Sequence, residues 1–328
     1  MDIRLIAEQY GFKINSSEEI KSICRLETES GTKCLKKAHM SPEYFMFINS
    51  AINYLIDRGF KGVVPYVPTA DGRPCIQDGK YVYYVTEWID SRECKFKVPE
   101  DLKRAVRTAA ELHKASEGYV PPDGSNPRVY YSKWPEKFEH KCIQLLEFSK
   151  SIEEKEYIDD FDEIYAKYLY YYWQQGKKSI EMLKASPYFE ISRLSAEKGE
   201  ICHHDMANHN FLITYDNRVV LIDFDYCIMD TRLHDISSLV IRNMRYGIWD
   251  IEKANFILEQ YDRVYPISSK ELQVIKAFMT FPQDFWQVGL QYYVEKQPWT
   301  MVYFLTRLNR IVDDRDIREK FLEDFLKL

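Results

Sequence analysis

Asp205, Asn210, Asp223 and Asp225 are oxygen-bearing side chains at intervals that suit phosphoryl transfer. Ile201-Cys-His-His-Asp-Met-Ala-Asn-His-Asn-Phe-Leu-Ile213 carries His203, Asp205 and, five residues on, Asn210. Val219-Val-Leu-Ile-Asp-Phe-Asp-Tyr226 follows with Asp223 and Asp225. Two apolar runs, Phe211–Thr214 and Val219–Ile222, flank Tyr215-Asp-Asn-Arg218. Asp216 and Asn217 tolerate left-handed turn conformations, so the segment predicts a β-hairpin. A hairpin brings together the residues just outside its two strands, here Asp205 and Asn210 on one side and Asp223 on the other. Carboxylate and amide oxygens are the donors Mg²⁺ takes, one or two at a time, together with phosphate. In that arrangement Asn210 and Asp223 hold metal against nucleotide phosphate. Asp205 faces the acceptor hydroxyl, which is the division of labour of a kinase.

Two other readings compete. A lone Asp-Phe-Asp at a strand end usually makes a turn or a cap. The conjunction of H-x-D-x4-N, hairpin, apolar run and D-F-D is far more specific. Cys202, His203, His204 and His209 are also zinc-ligand types. Adjacent histidines do not easily face one centre, however, and no second ligand pair follows. His203 is instead expected to orient the loop backbone through hydrogen bonds.

The segment resembles the signature of the aminoglycoside phosphotransferases and choline kinases, a branch of the protein-kinase-like fold. That signature is H-G-D-x4-N followed by I-D-F/W-D. The resemblance implies that Asp205 is the catalytic aspartate, that Asn210 and Asp223 are metal ligands, and that His203 is structural. It also implies that Asp235, in Leu233-His-Asp-Ile-Ser237, steadies the catalytic loop. His204 stands where the family has glycine, so a side chain must be accommodated there. Asp225 offers a second carboxylate on the same side of the chain as Asp223. A narrower resemblance, to spore-coat kinase-like proteins of the CotS type, is carried by several segments. These are Leu35-Lys36, Thr86-Glu-Trp-Ile89, Asp223-Phe-Asp-Tyr226, Phe281-Pro-Gln-Asp-Phe-Trp286 and Gln291-Tyr-Tyr293. It runs over most of the chain and is strongest at 201–241 and 281–293.

A kinase-like site implies ATP, and ATP needs a cation on a strand beside the adenine pocket. Lys36 follows Leu35 and shares a strand face with Cys34, because side chains alternate. Thr86-Glu-Trp-Ile89 fits the hinge, where backbone groups of Glu87 and Ile89 read the adenine edge. Glu43 is a candidate partner for Lys36, although it lies early on its helix. The phosphate-covering loop is expected at Asn15-Ser-Ser-Glu-Glu19. It has no glycine, and its two glutamates oppose phosphate charge.

These residues need a scaffold. Ser22–Thr28 and Lys33–Ala38 read as a hairpin. Ser41 before Pro42 is an N-cap with proline at N1, and Gly59 stops the helix that follows. Short strands are expected at 63–68 and 80–86. A helix runs through Leu102 and His113, with a loop at 117–129. Helical periodicity marks 133–150, 160–186, 250–262, 268–296 and 299–327. The predicted architecture is α+β, a two-lobed protein-kinase-like fold. Residues 1–89 form a β-rich nucleotide-binding lobe with one main helix and a hinge near 87–91. Residues 92–328 form a helical lobe that contains the catalytic hairpin and the acceptor site.

Composition narrows the function. Hydrophobic residues make up 45% and charged residues 29% of 328, which excludes bulk disorder. The net charge of −6 and the lack of a basic stripe argue against a nucleic-acid partner. No apolar run is long enough for a membrane span, and the opening MDIRLIAEQYGF has no signal-like apolar core. Seven scattered cysteines without a C-x-x-C read as reduced thiols in a cytosolic compartment. Residues 152–163 are strongly acidic and precede Tyr168, Tyr170, Tyr171, Tyr172 and Trp173. They read as a solvated helix face with core aromatics, or as a lining for a cationic or hydroxylated ligand. The expected function is ATP- and Mg²⁺-dependent phosphorylation of a small hydroxylated molecule such as an amino sugar, a choline-like compound or another small alcohol. The narrower resemblance implies deposition in the spore coat, with other coat proteins as partners. The alternative is a structural coat protein with a degenerate kinase-like site.

Overall fold

The computed structural model describes residues 3–327. Contacts divide the chain into two units, residues up to 129 together with 195–232, and 130–194 together with residues from 233 on. The first unit opens with α1 (Ile3–Gln9), β1 (Ile14–Ile20), β2 (Ile23–Thr28), β3 (Gly31–His39) and α2 (Pro42–Asp57). It continues with β4 (Tyr66–Val67), β5 (Ile76–Asp78), β6 (Tyr81–Glu87), β7 (Ser91–Glu93) and α3 (Pro99–Ser116). The main sheet runs β1-β2-β3-β6-β4, with β5 also paired to β6. One face buries Cys24, Leu26, Leu35, Tyr83 and Val85 against Ile6 and Tyr10 at the N-terminal helix. The alternate residues, Lys36 and Tyr84 among them, therefore project from the opposite face. Helix α2 begins as its sequence demands. The Ser41 side chain accepts from the Tyr44 N–H, Pro42 sits at the first turn, and Tyr44, Phe45, Phe47, Ile48 and Leu55 are buried.

The loop expected at 15–19 is instead part of β1, and this corrects the sequence reading. Ser16 to Glu19 pair with Glu27 to Cys24, and the turn falls at Lys21-Ser22. Residues 15–19 are all solvent-exposed, so the apolar alternation that announces a strand is missing.

The second stretch of chain supplies α4 (Trp134–Glu153), α5 (Asp160–Ala185) and α6 (Tyr188–Lys198). The chain then returns to the first unit with β8 (Ile201–Cys202), β9 (Phe211–Thr214), β10 (Val219–Leu221) and β11 (Ile228–Met229). Strands β9 and β10 form the anticipated hairpin, and β7 pairs with β9 on its other edge. The remainder is α7 (Leu233–Met244), α8 (Ile251–Asp262), α9 (Ser269–Thr280), α10 (Gln283–Gly289), α11 (Met301–Asp313) and α12 (Arg315–Leu326). The single helices expected over 268–296 and 299–327 are each divided. Pro282 interrupts the first, as proline must inside a helix. Asp314 separates the second pair, its carboxylate accepting from the Tyr246 N–H and Trp249 Nε1.

The helical unit packs Phe148, Phe161, Tyr165, Tyr172, Phe285 and Phe304 into one core. The acidic segment supports this core. Asp159 and Asp162 form the capping box of α5, and buried Asp162 takes Lys155 Nζ at 2.6 Å and Tyr293 Oη at 2.9 Å. Among the described residues no helix is long and apolar enough to cross a membrane. None of the seven cysteines is in a disulfide.

Gly199 joins α6 to β8 with φ +66°, and a Cβ there would overlap the Tyr119 carbonyl oxygen. Gly199→Ala therefore combines left-handed backbone strain with a clash against backbone. It should lower stability by about 2–4 kcal/mol, read as a fall in Tm and in denaturation midpoint.

Candidate active site

The polar residues singled out around the hairpin converge within the first unit. The latch is His203, which is fully buried. Its Nδ1 accepts from the Asp205 N–H at 3.3 Å, which places the ring proton on Nε2. Nε2 donates to the Ile222 carbonyl at 2.8 Å. The Ile222 N–H in turn donates to the Asn210 carbonyl at 2.9 Å. One imidazole thus ties the loop carrying Asp205 to the strand end that precedes Asp223.

Asn210 finishes the loop. Its Nδ2 donates to the Asp205 carbonyl at 2.9 Å and to Asp205 Oδ2 at 2.8 Å. The amide oxygen takes no part in these two bonds. On either side of the hairpin a non-glycine residue adopts left-handed backbone, His204 with φ +70° and Asp223 with φ +67°. The first explains why the resembled families place glycine there. The second, followed by a 3₁₀ turn over Phe224–Tyr226, reverses the chain sharply. Phe224 is buried against the His203 ring, 4.6 Å between centroids. Asp223 and Asp225 are left on the other side.

Lys36 meets both carboxylates. Its Nζ lies 2.6 Å from Asp223 Oδ1 and 2.9 Å from Asp225 Oδ2. Burial works against the ammonium charge, yet Asp225 and Asp223 outweigh it and the pKa of Lys36 is raised. Lys36 bonds Asp223 through Oδ1, and Asp223 Oδ2 and Asn210 Oδ1 are hard oxygen donors. Asp205, Asp223 and Asp225 against Lys36 and Arg128 leave an excess of negative charge. A divalent cation fits that excess and that donor set.

Further residues were not anticipated. Tyr84, directly across from Lys36 in the β3–β6 register, donates to Asp225 Oδ1 at 2.7 Å. Tyr44 Oη donates to the carbonyls of Asp225 and Cys227 at 3.1 and 2.6 Å. The Arg128 guanidinium lies over the Tyr44 ring at 4.2 Å, and Nη2 donates to the Asp225 carbonyl. Alternation along β6 was the available signal for Tyr84. Tyr44 and Arg128 act on backbone oxygens, which no motif records.

The remaining candidates have partners of their own. Glu43 is exposed at the first turn of α2 and does not reach Lys36, whose partners are Asp223 and Asp225. The Glu87 carboxylate takes buried Lys33 at 2.6 Å. The Ile89 carbonyl accepts from Ser91 Oγ at 3.0 Å. Asp235 belongs to the helical unit, buried in the first turn of α7, with Oδ1 3.3 Å from His234 Nδ1.

A family model described as spore coat putative kinase YutH matches residues 3–325. Spore coat protein S of Bacillus subtilis strain 168 is 26% identical over 317 residues, 96% of this chain and 90% of that protein. Among solved structures, an aminoglycoside phosphotransferase from Alicyclobacillus acidocaldarius superposes with a TM-score of 0.85 at 20% identity. That match covers 100% of this chain and 96% of the other. Spectinomycin phosphotransferase, solved with ADP and spectinomycin, gives 0.63 at 16% identity over 99% and 98% of the two chains. The fold is therefore protein-kinase-like, and it is of the α+β class.

The backbone at residue 204 yields a test that separates conformation from side-chain contacts. Neither alanine nor glycine keeps the imidazole, but only glycine is at ease at φ +70°. His204→Gly should be more stable than His204→Ala by about 1 kcal/mol in denaturant titrations.

Proposed function

The chain belongs to the spore coat putative kinase YutH family, and on that premise we propose that it is an ATP- and Mg²⁺-dependent phosphotransferase acting on a hydroxyl of a small molecule. The observation that carries this reading is the meeting of Lys36 with Asp223, at 2.6 Å across 187 residues of chain. A buried ammonium facing a strand-end carboxylate is what a phosphate chain and its cation require on either side. In the nucleotide complex Lys36 turns to the α/β-phosphates, and Asp225 keeps its bond from Tyr84. Asn210 Oδ1 and Asp223 would hold Mg²⁺, which supplies neutralisation of phosphate charge when bound. Backbone groups of Glu87 and Ile89, at the hinge 87–91, take the adenine edge.

Asp205 faces the acceptor. The acceptor oxygen bonds to the γ-phosphorus as the bond to the bridging oxygen breaks. ADP leaves and the hydroxyl proton passes to Asp205. Asn210 Nδ2 holds that carboxylate in place. The solved relative with ADP and spectinomycin supports a nucleotide and a small hydroxylated acceptor in this fold. The acceptor class is an amino sugar, a choline-like compound or another small alcohol. The name of the Bacillus subtilis relative supports deposition in the spore coat after cytoplasmic synthesis, beside other coat proteins. It equally favours a second reading, a coat component without catalysis.

Mg²⁺-ATP should raise the Tm of the wild type, since a ligand of the native state stabilises it. Asp223→Asn should lose most of that shift and, having taken a carboxylate from Lys36, should melt below wild type without ligand. Asp205→Asn should keep the shift and lower turnover with a metabolite pool and labelled ATP by roughly 10²–10⁴-fold. Wild-type protein that ignores millimolar ATP with Mg²⁺ or Mn²⁺ would leave the coat-component reading.

A further inference from the structure

A cavity of ≈ 30 Å³ lies within the helical unit, walled by Tyr246, Trp249, Phe281 and Phe285 with Arg245 and Arg318. It shares no residue with the phosphotransfer site. Its volume is that of about two waters, or of an acetate-sized group.

Arg318 is the anomaly. It is only 8% exposed. Its Nη2 donates to the carbonyls of Met279 and Thr280 at 3.1 and 3.0 Å, and its guanidinium lies 5.5 Å from the Trp249 ring. Nη1 is buried without a hydrogen-bond partner. No carboxylate among the described residues forms an ion pair with it. Both acids in the wall are spent. Asp284 is bound to Arg245 at 2.6 Å, and Asp314 Oδ2 accepts from the Tyr246 N–H and Trp249 Nε1. Arg245 Nε is likewise buried and unpartnered. A guanidinium withdrawn from water with no carboxylate in direct contact is costly, and the carbonyls together with the more distant Asp284 and Glu319 answer only part of that cost.

We propose that this cavity binds the carboxylate of a small molecule, with Arg318 Nη1 and Arg245 Nε as donors and the carbon skeleton against Trp249 and Phe281. The shape of the charge favours a carboxylate over other anions. A planar monoanion accepts from two guanidinium edges in little space. A doubly charged phosphate would sit beside Asp284 and Asp314. Chloride would leave the aromatic walls without an apolar partner.

The test uses full-length protein and acetate as the probe, with chloride and phosphate at equal ionic strength as the other arms. Acetate should raise Tm saturably by a few degrees with a millimolar half-point, and its methyl signal should show saturation transfer from the protein. Arg318→Met and Arg245→Gln should each weaken acetate binding ten-fold or more. If Arg318→Met fails to fold, Arg245→Gln and the wild-type titration decide. Asp223→Asn should bind acetate as wild type does, so failure of the kinase reading leaves this result untouched. The proposal is overturned if wild type shows no saturable response to acetate. Chloride or phosphate matching acetate, or Arg245→Gln binding acetate like wild type, would overturn it equally.

Discussion

The arrangement of the first unit turns on one ammonium held between two carboxylates. Lys36 is largely withdrawn from water, its side chain 14% exposed, and such a charge persists only when partners replace its hydration. Asp223 and Asp225 do so, from a segment 187 residues away in sequence. For the three groups to meet, β3 must present Lys36 on the face away from Leu35. The Asp-Phe-Asp turn must also place both acids on one side. Both conditions are local consequences of backbone geometry, the alternation of a strand and a left-handed residue at Asp223. Tyr84 closes the arrangement from β6, so the register of the sheet is coupled to the position of Asp225.

A second constraint keeps the acids apart from their own loop's flexibility. Left-handed conformations at His204 and Asp223 cost energy that no glycine relieves. The surrounding hydrogen bonds must therefore over-determine them. His203 bonds in both directions, Asn210 bonds Asp205 twice, and Phe224 packs on the His203 ring. One strained residue, His204, precedes Asp205, and the other is Asp223 itself. Strain there fixes where the carboxylates point, at the expense of local stability.

Much of this was legible in the sequence, for identifiable reasons. The β9–β10 hairpin announced itself because Asp216 and Asn217 stand between apolar runs. Helix α2 did so because Ser41-Pro42 is a start signal, and the side of β3 that carries Lys36 followed from a period of two. What was not legible lacked such marks. Strand β1 is exposed throughout residues 15–19, so no periodicity could distinguish it from a loop. Tyr44 and Arg128 bond main-chain oxygens, and main-chain oxygens have no sequence signature. The break at Asp314 depends on an N–H from Tyr246 and the indole of Trp249, a tertiary event at a residue that looks helical.

The misplaced loop also changes the electrostatics at the point where a kinase-like sheet covers phosphate. With the turn at 15–19, Glu18 and Glu19 would have stood against the anion. In the structure both glutamates lie along β1, paired with Arg25 and Cys24. The turn itself is Lys21-Ser22, and Lys21 takes the left-handed backbone, φ +55°, that glycine supplies in a glycine-rich turn. Ile23, the next residue, is the direct cross-strand neighbour of Lys36. The turn therefore lies one residue beyond the Lys36 position on the adjacent strand, a separation of only a few ångströms along the chain. The charge carried at that turn is positive, matching Lys36 in sign. At residue 21 lysine itself adopts the left-handed backbone, at some cost in strain, and Glu18 and Glu19 are held along the strand.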